Sequence, residues 1–140
     1  MLSALDISTS GLIAQRTRLD SIASNIANIS TIRDENGEAK PYQSRHVIFQ
    51  TTQDIGSSYG AVGVEVSSVE LDQTEPTYRW QPNHPLAIKE GDKQGYVAYP
   101  NVNLNQEFVD ALNATRSYEA NVGVIEVSKD LSSQTLRILA

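Results

Sequence analysis

The sequence contains no cysteine, so no disulfide, thiolate metal site or cysteine nucleophile can belong to its chemistry. Aromatic residues are scarce at 6% of 140 positions, which argues against a large aromatic core. Positive charge is in deficit: the formal net charge is −6. A surface of that sign does not suit nucleic acid or anionic lipid, which attract basic proteins. No apolar run approaches the roughly 18 residues of a membrane span. The opening MLSALDISTSGL lacks a basic segment followed by an apolar one, so it does not read as a cleavable secretory signal. A protein of this kind that leaves the cytoplasm is expected to use another route.

Reactive constellations are missing as well. Histidine occurs only at positions 46 and 84. Neither has the helical spacing of a metal site. His46 reads as a half-buried strand residue and His84 as a hydrogen-bonding loop residue. Gly60-Ala61-Val62-Gly63 lacks the third glycine and the following helix of a dinucleotide loop, and reads as a turn into a strand. Asp6, Asp20, Glu107, Asp110, Glu119 and Glu126 fall on expected helices as solvated faces or inter-subunit ion pairs. No cofactor, metal or catalytic residue is assigned, and an enzyme is the least favoured class.

What is present is apolar periodicity at both ends. Leu5, Leu12, Leu19 and Ile26 stand seven apart, with Ile22 and Ile29 at complementary seam positions. This spacing predicts a helix over about 3–29. From Asn103 onward the chain has no proline and a single glycine, Gly123. Asn103 and Gln106 have the spacing of a capping box, and Pro100 closes the loop before them. One stripe then runs through Leu104, Phe108, Ala111, Tyr118, Val122, Ile125, Leu136 and Leu139. A second runs through Ala120, Val124, Val127 and Leu131. Two stripes on one helix imply two partners.

Length sharpens this. At 1.5 Å per residue the two helices would be about 40 Å and about 52 Å long. A compact globule of this size is only about 37 Å across. The helices must therefore pair, protrude and find neighbours. Between them, residues 31–102 change character. Asn36-Gly37 is a turn signal; Tyr42–Phe49 is strand-like; Val62, Val64 and Val66 alternate. The expected fold is mainly α with a small β element: helices 1–30 and 103–140 pair as an antiparallel coiled coil, and the middle region 31–102 contains a β-hairpin.

SNIANIST at 24–31 resembles the rod-and-hook signature of bacterial flagellar axial proteins, usually seen as a variant of SNNIANVNT. GYVAYPNVNLNQEFVDALNATRSYEANVGVIEVSKDL at 95–131 is similar to the C-terminal block of the proximal-rod members, and His84-Pro85 ahead of it fits the same pattern. The resemblance covers both ends, about half of the chain. Ser30 stands where asparagine is usual, and one asparagine of the doubled pair is missing before Ile26. RDENGEAKPY replaces the glycine-tyrosine of distal-rod and hook members.

The resemblance implies a structural subunit of the basal-body rod, exported by the flagellar type III apparatus without a cleaved signal and located across the periplasm. It implies contacts with other rod proteins, with the membrane-ring and export-gate base, and with copies of itself. Nucleic-acid binding and direct membrane insertion are not expected. The competing reading is a soluble regulatory module whose helix captures a single partner. The expected assembly interface comprises Leu5, Leu12, Leu19, Ile22, Asn25, Ile26, Asn28, Ile29, Phe108, Tyr118, Asn121, Val122, Ile125, Leu136 and Leu139. Asn25 and Asn28 are expected beside the apolar seam. There their amides would bond helix-end carbonyls or a neighbouring subunit, fixing register.

Overall fold

The computed structural model describes the backbone of residues 2–52 and 61–139 and the side chains of 4–52 and 61–138. Helix α1 covers Leu2–Ala27 and helix α2 covers Leu104–Leu139. Asn103 caps α2: its Oδ1 accepts from the main-chain N–H of Asn105 at 3.1 Å and of Gln106 at 3.3 Å. The return arm of the expected capping box is not made, because the Gln106 amide donates to Asp110 Oδ2 at 3.1 Å instead. Asn28 ends α1, its Nδ2 donating to the Ser24 carbonyl at 2.9 Å while its Oδ1 accepts from Thr31 Oγ1 at 3.0 Å.

The helices pair antiparallel. A Cβ placed on Gly11 would stand 3.0 Å from Asn121 Nδ2, Arg18 Nη2 lies 3.3 Å from Asp110 Oδ1, and Asn25 Nδ2 donates to Glu107 Oε1 at 3.0 Å. Positions 11, 18 and 25 form the seam on α1, with Ala14 and Ala114 fully enclosed nearby. This corrects the expected seam by one position, about 100° around the helix. Leu5, Leu12, Leu19 and Ile26 are half-buried on its flank, Ile29 is half-buried beyond the helix end, and Ile22 alone of that set is buried. Small residues win the seam because they let two backbones approach, whereas a row of leucines would hold them apart.

With 26 residues in α1 and 36 in α2, the helices are about 39 Å and about 54 Å long. The Gly11–Asn121 alignment sets Leu2 near 130. The last two turns or so of α2 therefore run past the start of α1, exposing Leu131, Leu136 and Ile138.

Among the described residues two two-stranded antiparallel sheets lie between the helices, the small β element expected there and a second hairpin besides. Strand β1 (Arg45–Thr52) pairs with β2 (Gly63–Leu71), with Val47 opposite Val69 and a bulge between Ile48 and Phe49. The connection at 53–60 lies outside the described residues, and with it part of the turn expected at Gly60–Gly63. This hairpin lies along α1: Val64 N–H donates to Ser10 Oγ at 3.1 Å, and Ser21 Oγ donates to the Arg45 carbonyl at 2.9 Å. Strand β3 (Thr77–Trp80) pairs with β4 (Tyr96–Tyr99). The second hairpin meets the 32–41 loop, where Ile32, Ala39 and Pro41 face Tyr78, Leu86, Ile88 and Val97. The Asn36-Gly37 signal does mark a turn, with Gly37 at φ +82° and a bridge between Arg33 and Ala39.

Candidate functional site

The junction of α1, β1 and α2 is organised by one side chain. Asn25 is 1% exposed, and its carboxamide makes four bonds. Oδ1 accepts from the Arg45 N–H at 2.8 Å and from the Tyr42 hydroxyl at 3.0 Å; Nδ2 donates to the Arg45 carbonyl and to Glu107 Oε1, both at 3.0 Å. Two donors and two acceptor lone pairs are all a carboxamide has. Asn25 is thus saturated by its own chain. It lies inside the junction, not beside a seam with an amide to spare for a neighbour. Asn28 is engaged locally, at the helix-end carbonyl that was one of its two expected partners.

Glu107, expected as a solvated or ion-paired carboxylate, is only 7% exposed. Burial raises its pKa above the ordinary value, the Asn25 hydrogen bond pulls it down, His46 pulls weakly the same way, and Asp110 pushes it up. His46 is exposed, not half-buried, with Nε2 3.8 Å from Asp72 Oδ2. The Thr74 hydroxyl and N–H hold Asp72 below its ordinary pKa. His84 does serve its loop, Nδ1 accepting from Leu86 N–H at 3.1 Å. Among the described residues no group of histidines and carboxylates could hold a metal ion, and no described helix is long and apolar enough to cross a membrane.

The remaining apolar positions divide by face. Asn121, Val122 and Ile125 are half-buried on the side of α2 toward α1. Phe108, Tyr118 and Leu136 are exposed; the Leu139 side chain lies outside those described. The outward apolar groups include Leu104, Phe108, Val109 and Leu112 in the first half of α2, and Val124, Val127, Leu131, Leu136 and Ile138 in the second. Val109 and Leu112 belonged to neither stripe read from the sequence, although each lies one helical turn or less from a residue that did.

A chain that closes its helix pair with small and polar residues, and turns its large apolar ones outward, is arranged for packing against other helices. Two family models match at the two ends: "Flagella basal body rod protein" over residues 5–33 and "Flagellar basal body rod FlgEFG protein C-terminal" over residues 93–138. The class is therefore that of the flagellar rod proteins. Curated relatives narrow it. The chain is 39% identical to the flagellar basal-body rod protein FlgC of Borreliella burgdorferi, over 99% of this chain and 97% of that one. It is 37% identical to FlgC of Salmonella typhimurium over 99% and 97% of the two chains. With FlgC of Bacillus subtilis it shares 36% identity over 96% and 95%. The chain belongs to the FlgC family of flagellar basal-body rod proteins.

Proposed function

We propose that this chain is a structural subunit of the proximal rod, part of a drive shaft across the periplasm that transmits torque. Its work is mechanical and non-catalytic, its neighbours are copies of itself, other rod proteins and the membrane-ring base, and it is exported without a cleaved signal. The observation that carries this reading is the outward apolar face of α2, where Phe108, Leu112, Val127 and Leu131 are all more than half exposed in the single chain. A few such residues are ordinary, but a stripe along both halves of a helix marks a surface that another chain covers.

The test uses substitutions that leave the chain's own fold alone. Leu131→Asp and Phe108→Asp alter exposed side chains, so the purified chain keeps its helicity and unfolding midpoint. Placed in a packed contact, the carboxylate would cost several kcal/mol if unpaired. Export should continue, while the variant chain should be missing from isolated basal bodies. Wild-type incorporation and motility in both variants would refute the reading. Capture of one soluble protein in a one-to-one complex, with no incorporation of the unaltered chain, would establish the regulatory alternative.

A further inference from the structure

Of the nine asparagines in the chain, only Asn36 is followed by glycine. It stands at the tip of the loop closed by the Arg33–Ala39 bridge. The turn runs from Asp34 to Gly37, whose N–H donates to the Asp34 carbonyl at 3.0 Å. Asp34 Oδ1 accepts from the Asn36 N–H at 3.0 Å and from the Glu38 N–H at 2.9 Å. One carboxylate thus clamps the main chain on both sides of the Asn36–Gly37 peptide. The Asn36 carboxamide itself is exposed and makes no hydrogen bond among the described residues. A Cβ on Gly37 would meet nothing within 4 Å, so the space beside its nitrogen is open.

An asparagine ahead of glycine has a reaction of its own. Its side-chain carbonyl carbon can close a succinimide ring with the next main-chain nitrogen, and glycine has no Cβ to obstruct the approach. The Gly37 nitrogen gives its proton to hydroxide and bonds to Asn36 Cγ. The Cγ–Nδ2 bond breaks, and ammonia leaves with a proton from water. Water then opens the ring at either carbonyl. One opening leaves aspartate at position 36; the other leaves isoaspartate, with the main chain running through the side-chain carbon. In the closed turn the Gly37 N–H is held by the Asp34 carbonyl, and the Asp34 carboxylate disfavours a negative nitrogen beside it. The reaction waits on opening of the turn.

We propose that Asn36 is a site of spontaneous conversion to aspartate and isoaspartate, with water as co-reactant and the Asp34 clamp setting the rate. The product alters the loop. Isoaspartate lengthens the main chain by one atom, so the Gly37–Asp34 bond and the Arg33–Ala39 pairing no longer close together. The new carboxylate joins Asp34, Glu35 and Glu38, against Arg33 and Lys40. Ile32, Ala39 and Pro41 of the same loop face the second hairpin, so conversion loosens that contact. It needs one chain and water, and stands apart from the assembly reading.

The test holds the purified chain in mildly alkaline buffer made with heavy-oxygen water, which marks every ring opened during the incubation. Peptides are then read by mass spectrometry, and isoaspartate is counted by enzymatic methylation. Labelled acid at position 36 should accumulate several-fold faster than at Asn83, which is exposed in a loop but followed by His84. Asp34→Ala leaves the Asn36–Gly37 pair intact and should speed conversion several-fold, with helical circular dichroism unchanged. The unaltered chain unfolded in urea should also convert faster than the folded one. In the converted fraction the Lys40 N–H, bonded to the Ile32 carbonyl at 3.1 Å, should exchange with solvent faster. Conversion at Asn36 no faster than at Asn83 overturns the proposal. Failure of Asp34→Ala or of urea to raise the rate overturns it too, because the clamp would then hold nothing back.

Discussion

Asn25→Ala separates local helix preference from the junction the asparagine holds. Alanine is the better helix former by roughly half a kcal/mol, so on propensity alone α1 should gain. The structure says otherwise. Removing the carboxamide leaves the Arg45 N–H without its 2.8 Å acceptor, the Glu107 carboxyl without its 3.0 Å donor and the Tyr42 hydroxyl without its partner. The Arg45 carbonyl keeps the Ser21 hydroxyl at 2.9 Å. Tyr42 is half-buried and can turn to water, so the cost falls on Arg45 and Glu107. Each buried orphan costs about 1–3 kcal/mol. Against the propensity gain, the net loss is about 2–5 kcal/mol. Urea unfolding of the purified chain, followed by helical circular dichroism, reads this as a lower midpoint at unchanged slope. Asn25→Asp should be worse than alanine at neutral pH, because it sets a second carboxylate against Glu107, and should recover as the pH falls. An Asn25→Ala chain as stable as wild type would refute the junction account. Asn28→Ala, which loses only local helix-end bonds, should cost no more than about 1 kcal/mol.

Glu107→Gln keeps an oxygen for the Asn25 donor and removes the charge. Because burial raises the folded pKa of Glu107 above its unfolded value of 4.5, the stability it confers is complete below that value. That stability is lost as pH rises through the folded pKa, so the glutamine chain should gain on wild type in thermal melts from about pH 4 to pH 7. Gly11→Ala sets a methyl 3.0 Å from Asn121 Nδ2, so that side chain must give by a few tenths of an ångström, while helix propensity gains about 1 kcal/mol; in a double-mutant unfolding series Gly11→Ala should therefore stabilise more in an Asn121→Ala background than in the wild type. Gly95→Ala meets both a left-handed backbone and the Trp80 ring, and should red-shift and broaden tryptophan emission while leaving helical circular dichroism nearly unchanged.

The helices were legible because their signals are local: a recurring apolar spacing, Asn103 in capping position, and prolines kept outside. The seam between them was not. A heptad of Leu5, Leu12, Leu19 and Ile26 looks like a contact line, and nothing in the chain announces that Gly11, Ala14 and Asn25 hold the line instead. Glycine's value there lies in what Asn121 needs, more than a hundred positions away. The β3–β4 hairpin was missed because each strand is four residues long and prolines stand around it. Runs so short carry almost no alternation to read. The aromatic cluster of Tyr78, Trp80, Tyr96 and Tyr99 was the usable signal. Glu107 gave none, since a glutamate in the first turn of a helix is ordinary on dipole grounds. Its burial follows from the hairpin laid beside it.

The antiparallel pairing has a mechanical consequence. The start of α1 and the finish of α2 lie at the same end of the helix pair, and the Asn25 junction lies at the other. A pull that draws those two helix ends apart loads the contacts one after another, as in peeling, and never all at once, as in shear. The first turns to part are those beside the α2 overhang, which has no α1 residue against it. The last is the junction, where a single carboxamide ties two helices and a strand together. Stretched in that direction the chain should open at low force over most of its length and resist sharply only at the finish. Stretched along the helix axis from opposite ends, the same contacts would have to fail together.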